Sequence, residues 1–255
     1  MSSSTTTSST SDSHIHSGRR CPVSGEHEYC PPQEGDSRSP CPALNAMANH
    51  GYIPRDGLKI TVIDLVKGLR GCYGLSLPLA IVLAFGGFFL LKRVKPVSLY
   101  HIGKHNAIEH NASLVHEDCA KDQKYASVKV VPQLIEALTH EECSDDGSTT
   151  SDESALLDIK ELAKFRVRRE RECLPVDGIH AEIARGEMAI VLGMWGEKIS
   201  DHGVPKAWLR DWLHEERLPK DWKPCRKQGL LDTMHISKEL KSHMEQFKSS
   251  SAPTQ

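Results

Sequence analysis

The chain has 255 residues, enough for a full core in one domain or two. Its net charge of -2, with no basic stripe recurring along one face, argues against nucleic acid as a partner. Hydrophobic residues make up only 38% and mean hydropathy is -0.42, so part of the length is expected to stay solvated.

Every residue from 2 to 13 except Asp12 is Ser or Thr, and apolar residues remain rare to about position 40. Such a segment buries too little surface to offset its ordering entropy, and residues 1–36 read as a disordered leader. They contain no apolar core of a secretory signal. Eight cysteines are scattered without a repeated Cys-x-x-Cys, which argues against a zinc site. Free thiols in a reducing, intracellular setting fit both features.

Cys41-Pro42 opens the first predicted helix. Pro42 suits the first helical position, while Gly51 and Pro54 suit its end. The free amides of Ala43 and Leu44 then point at Cys41, a setting that favours a thiolate and lowers its basicity. A buried structural thiol is the commoner explanation of one such cysteine taken alone. Cys21-Pro22 and Cys30-Pro31 fall in the leader and are weak signals.

Ile60, Ile63, Val66 and Leu69 predict a helix over 59–70. Residues 71–91 carry no charge, a length that would allow a membrane span. Tyr73, Ser76 and Pro78 interrupt its start and Gly86-Gly87 its end, so it reads as a core helix. Phe85, Phe88 and Phe89 are read as core, with Phe88 or Phe89 the better pocket candidates. Glu109 and Ser113, four apart, would share a helical face and reach one hard cation; an exposed polar pair is the plainer reading. His110 alone reads as an ordinary surface or core histidine.

Residues 127–131 are the best strand candidate, and residues 182–190 suit a hairpin. Residues 140–153 form an acidic loop, and Leu156, Ile159 and Leu162 suggest a helix from about Glu153. The basic cluster 166–171 is interleaved with glutamate and reads as a solvated helix face. Glu187 stands at the edge of the apolar run 188–192, where desolvation would raise its pKa; Glu182 and Glu197 are its rivals. Val204-Pro205 opens a helix whose Trp208, Leu209, Trp212 and Leu213 form an apolar face, read as core. The whole is all-α with little or no β-structure: one helical domain over 37–246 and a disordered tail over 247–255.

The run from Ser39 through Cys41-Pro42-Ala43-Leu44-Asn45 to Asn49-His50-Gly51 and Arg55-Asp56-Gly57 resembles the proximal loop of the haem-thiolate peroxidases, the chloroperoxidase and unspecific peroxygenase group, short fungal type. Ile108-Glu109-His110-Asn111-Ala112-Ser113 resembles that family's Glu-His-Asp-x-Ser box, and residues 183–190 its later Gly-Glu segment. Glu216-Arg217-Leu218-Pro219 also matches, and the likeness covers roughly residues 37–222. It implies a haem-enclosing helical fold with haem b on Cys41, beside the backbone of Ala43 and Leu44. It implies Glu187 as general acid–base assisted by His110. It also implies a Mg2+ or Mn2+ ion at a haem propionate, held by Glu109, Ser113 and the carbonyl of His110. The implied activity is hydrogen peroxide-dependent oxidation or oxygenation of a small organic substrate or a halide through a ferryl intermediate.

Asn111 stands where the family's short members have Asp. An amide cannot carry negative charge, so the pKa of His110 is expected to fall. That departure leaves a catalytically idle haem-binding protein as one alternative, and residues 71–91 leave a membrane-anchored interaction protein as another.

Overall fold

Side-chain caps decide where several helices start. Thr61 and Asp64 form a reciprocal capping box, Asp158 and Glu161 another, and the Asp177 carboxylate accepts from the amides of Ile179 and His180. The computed structural model describes residues 15–16, 19–20, 23, 25–139, 156–195 and 203–250. Its helices are α1 (Pro42–Asn49), α2 (Val62–Tyr73), α3 (Leu77–Leu90), α4 (Leu99–Ile102), α5 (Pro132–Thr139), α6 (Ile159–Glu172), α7 (Gly178–Met194), α8 (Lys206–His214) and α9 (Leu230–Ser250). Among the described residues the named strands form two antiparallel pairs, β1 (Ile15–His16) with β2 (Arg19–Arg20) and β3 (Leu156–Asp158) with β4 (Gly203–Pro205).

α9 lies against both α6 and α7, α2 against α3, and α5 against α8. One continuous core runs from Ala46, Met47 and Ala48 of α1 to Ile236, Leu240 and Met244 of α9. The fold is mostly helical, as the sequence predicts.

Several local expectations change. The uncharged stretch 71–91 is broken at Gly74, whose φ of 66° ends α2 in a left-handed cap. No helix among the described residues is long and apolar enough to cross a membrane. Residues 127–131 form no strand, and residues 182–190 lie inside α7 rather than in a hairpin. Residues 156–158 and 203–205, expected to open helices, pair instead as β3 and β4 with Leu157 opposite Val204, both buried. That pairing joins segments distant in sequence, so local periodicity does not reveal it.

The expected ends of the domain also move. Residues 25–36 lie against the fold: the buried Cys30 donates its N–H to the Asn49 carbonyl, and His27 stacks on Tyr52 at 3.8 Å. α9 runs on to Ser250, past the boundary expected at 246. The acidic loop 140–153 lies outside the described residues.

Gly57 holds the segment that leads to Cys41. Its φ is +65°, and an added Cβ would sit 2.1 Å from the Ser37 carbonyl oxygen. Gly57→Ala therefore combines backbone strain with a clash, and a loss of about 1–3 kcal/mol in denaturant unfolding is expected. A change within the scatter of surface substitutions would show that Ser37 yields freely.

Candidate functional site

Cys41 is the N-cap residue of α1, with Pro42 at the first helical position and no side-chain cap bond. Burial pushes its thiol up to about 12, with the Glu187 charge adding to the rise; the amides of Leu44 and Ala43 pull in the opposite direction. The lowered basicity expected from the helix N-terminus is thus present but outweighed. A sulfur so placed stays protonated until a metal cation displaces the proton.

The segment around Cys41 is tied down by buried amides. The Cys41 N–H donates to Ser39 Oγ at 3.2 Å. Asn45 Oδ1 accepts from the Ser39 N–H at 2.9 Å, and its Nδ2 donates to the Ser39 carbonyl at 2.7 Å and to Glu216 Oε1 at 2.5 Å. Asn49 donates to the Glu216 carbonyl and accepts from Arg38. Burial raises the pKa of Glu216 against these hydrogen bonds and the Arg38 charge. At the far end of α1, His50 Nδ1 faces the His27 carbonyl at 2.9 Å, so it carries the proton. His50 Nε2 is then the acceptor for the Leu218 N–H at 3.0 Å.

The second half of the site comes from the segment after α4 and from α7. His110 is buried, and its Nδ1 donates to the Asn111 carbonyl at 2.8 Å. Its Nε2 lies 3.4 Å from Glu187 Oε2. Burial alone would lower the His110 pKa, but the hydrogen bond and charge of Glu187 outweigh it and the net shift is upward. The fall expected from Asn111 is not found, because Glu187 supplies the charge. The Asn111 side chain turns away, its Nδ2 donating to the Pro175 carbonyl at 3.3 Å.

Glu187 is 54% exposed, so the desolvation expected beside its apolar run is absent: in α7 that run faces the core while the carboxylate faces out. Of the rivals, Glu182 pairs with Arg185, and Glu197 lies outside the described residues. Residues 109–113 are not helical, so Glu109 and Ser113 do not share a helical face. The Glu109 carboxylate meets His105 Nδ1 at 2.6 Å. Ser113 Oγ accepts from the amides of Val115 and His116 within its own turn. Gly87 brings α3 onto Ile108, next to this segment, with 3.3 Å left for a Cβ. Phe88 is core as expected, whereas Phe85, Phe89 and Trp208 are exposed.

Sequence reasoning missed His180. Its Nδ1 lies 2.6 Å from Asp177 Oδ2, its ring centroid 6.2 Å from that of His110, and its Nε2 is buried without a partner. The available signal was spacing, since His180 and Glu187 stand seven apart and share a face once 178–194 is helical.

Comparison with known proteins places the chain in a family. The family described as "Peroxidase, family 2" matches residues 27–227, and the chain belongs to that family, the chloroperoxidase family of haem-thiolate peroxidases. It is 43% identical over 67 residues to aromatic peroxidase fscJ of Fusarium equiseti, covering 26% of this chain and 15% of that protein. It is 34% identical over 97 residues to the chloroperoxidase of Leptoxyphium fumago, covering 35% of this chain and 26% of that protein. An aromatic peroxygenase of Cyclocybe aegerita is 50% identical over 44 residues, 17% of this chain and 12% of that one. The aligned stretches therefore span about a quarter or less of each relative.

His50 makes the proximal half sensitive to acid. Burial holds its pKa below the ordinary value near 6.5, against the His27 carbonyl and with Arg55, His27 and Arg217 contributing smaller charges. His116 is likewise pushed down by burial, to about 4. Because the unfolded chain takes these protons first, their contribution is complete above about pH 6.5 and is lost as pH falls through the folded values. His50→Gln, whose amide keeps both a donor and an acceptor, should flatten the fall of Tm between about pH 7 and about pH 5, a window that brackets the ordinary value. An unchanged slope would assign the acid sensitivity to other groups.

Proposed function

We propose that this protein is a hydrogen peroxide-dependent haem-thiolate peroxidase or peroxygenase that oxidises or oxygenates a small organic molecule or a halide. The observation that carries the reading is the buried His110 with its Nε2 3.4 Å from the Glu187 carboxylate, in a fold that also sets Cys41 at the N-terminus of α1. A sulfur donor at a helix N-terminus, together with an acid paired to an imidazole, is the residue set that would hold a haem iron and move a proton beside it. The donor chemistry supports the same fit, since the protonated Cys41 thiol has two amides ready to stabilise it once iron takes the place of its proton.

When bound, the haem supplies a redox-active iron, and a thiolate axial ligand favours O–O cleavage. Cys41 would hold that iron, with the Ala43 and Leu44 amides moderating the sulfur's charge. Glu187 takes a proton from hydrogen peroxide and returns it to the departing oxygen. His110, pinned through Nδ1 to the Asn111 carbonyl, holds the Glu187 carboxylate through Nε2. Its half-exposed position lets Glu187 meet peroxide and still exchange protons with solvent.

Of the oxygens that the resemblance assigned to a Mg2+ or Mn2+ ion, Glu109 Oε2 meets His105 Nδ1 and Ser113 Oγ accepts from its own turn. No group of three or more His, Cys, Asp or Glu among the described residues is placed to hold an ion, and no step is assigned to one. The free thiols of Cys72, Cys119 and Cys173 support an intracellular setting.

Cys41→Ala should abolish the thiolate signature in the ferrous carbon monoxide spectrum of the haem-loaded protein. Glu187→Gln should load haem normally yet slow peroxide cleavage by about 10²–10⁴-fold, the usual worth of a general acid–base. Peroxide cleavage at the parent's rate by Glu187→Gln would remove that residue from its role.

A further inference from the structure

All four tryptophans of the chain meet in one cluster. The Trp195 ring lies 5.8 Å from Trp212, 6.0 Å from Trp208 and 4.8 Å from Trp222, centroid to centroid. Inward, Trp212 packs edge-on against Tyr73 at 6.4 Å and donates its Nε1–H to the Tyr73 hydroxyl at 3.3 Å. Tyr73 in turn donates to the Ala43 carbonyl at 2.8 Å, two residues from Cys41. Outward, the cluster has two ends. Trp208 is 43% exposed, and Trp222 lines a cavity of about 580 Å³ with His27, Tyr29, Tyr52, Arg217 and Lys220.

We propose that Tyr73, Trp212 and Trp195 form an electron path from the Cys41 loop to Trp208 and Trp222, where electron-rich aromatic donors too large for a buried cleft are oxidised at the surface. This inference rests on the haem-peroxidase reading for its oxidant, hydrogen peroxide.

Indole is among the easiest side chains to oxidise by one electron, and neighbouring π-systems in van der Waals range exchange an electron readily. The hydrogen bonding suits transport rather than trapping. Trp195 Nε1 is buried with no acceptor, so an oxidised Trp195 keeps its proton and passes the charge on. The partners of Tyr73 O–H and Trp222 N–H are the carbonyls of Ala43 and Cys72, which are poor bases and do not draw the proton off. Each phenolic donor gives up one electron and its hydroxyl proton. Two donors reduce one hydrogen peroxide to two waters, and two phenoxyl radicals leave.

Packing alone would also explain an aromatic cluster, so the test reads electrons and not stability. Haem-loaded parent, Trp195→Phe and Trp208→Phe would be mixed with peroxide without donor, freeze-quenched, and examined by electron paramagnetic resonance. Oxidised residues would then be mapped by mass spectrometry. The parent should show a protein radical and oxidation at Trp208 and Trp222. Trp195→Phe, which keeps an aromatic ring in the core, should lose both; the exposed Trp208→Phe should lose only the Trp208 mark. Turnover of a phenol grafted to a soluble polymer should fall in Trp195→Phe, while free phenol is oxidised as before. A parent that loads no haem overturns this proposal and the function beneath it. A parent that consumes peroxide but shows no tryptophan radical, or one indifferent to Trp195→Phe, overturns the electron path alone.

Discussion

An eight-residue helix is too short to hold its own shape in water, so the position of Cys41 depends on what grips α1 from outside. That grip is the segment 215–219. Asn45 and Asn49 hold Glu216, and His50 accepts from Leu218. Glu216 adopts a φ of 49°, a conformation that costs a non-glycine residue about 1–3 kcal/mol and persists only where surroundings enforce it. The enforcing groups are the two buried asparagine amides. Their hydrogen bonds reach a carboxylate that burial penalises, which makes each one costly to lose. The proximal half of the site is therefore specified by polar groups that have no alternative partners, and the apolar core around Met47 fills the space behind them.

The distal half works by the opposite logic. Glu187 keeps its water, and His110 gives up its own: one partner is 54% exposed and the other 9%. A shared proton between Nε2 and Oε2 stays accessible to solvent through the carboxylate, while the imidazole is fixed by a main-chain carbonyl that cannot titrate. Asn111 contributes through its backbone alone. The Asn111 side chain takes no part in the pair, whose negative charge comes from Glu187 on α7.

What the sequence revealed was local chemistry. Pro42 at a helix start and the left-handed Gly51 just beyond its end are rules about one or two residues, and both hold. The amides of Ala43 and Leu44 do point at the sulfur, yet the direction of the thiol's pKa was misread, since burial is set by distant residues. The β3–β4 pair went unseen for the same reason: Leu157 and Val204 belong together only after α6 and α8 are placed. Glu109 and Ser113 were paired by assuming a helix, whereas residues 103–118 follow turns fixed by contacts such as Arg166 with the Ala112 carbonyl. His180 was invisible because its role depends on α7 being continuous, and residues 182–190 read as a hairpin.

α7 carries groups of both chemistries. Glu187 and His180 stand on one face of it, and Trp195 is its C-terminal cap. Near that cap, Gly193 lets α7 lie close against the fully buried Gln228, whose amide a Cβ there would meet at 2.1 Å. A helix packed this way presents the Glu187 carboxylate, midway along it, to solvent without burying it. The same helix sets Trp195 among Trp208, Trp212 and Trp222. Proton handling at Glu187 and electron handling through Trp195 are therefore positioned by one rigid element, and a shift of α7 would disturb both together.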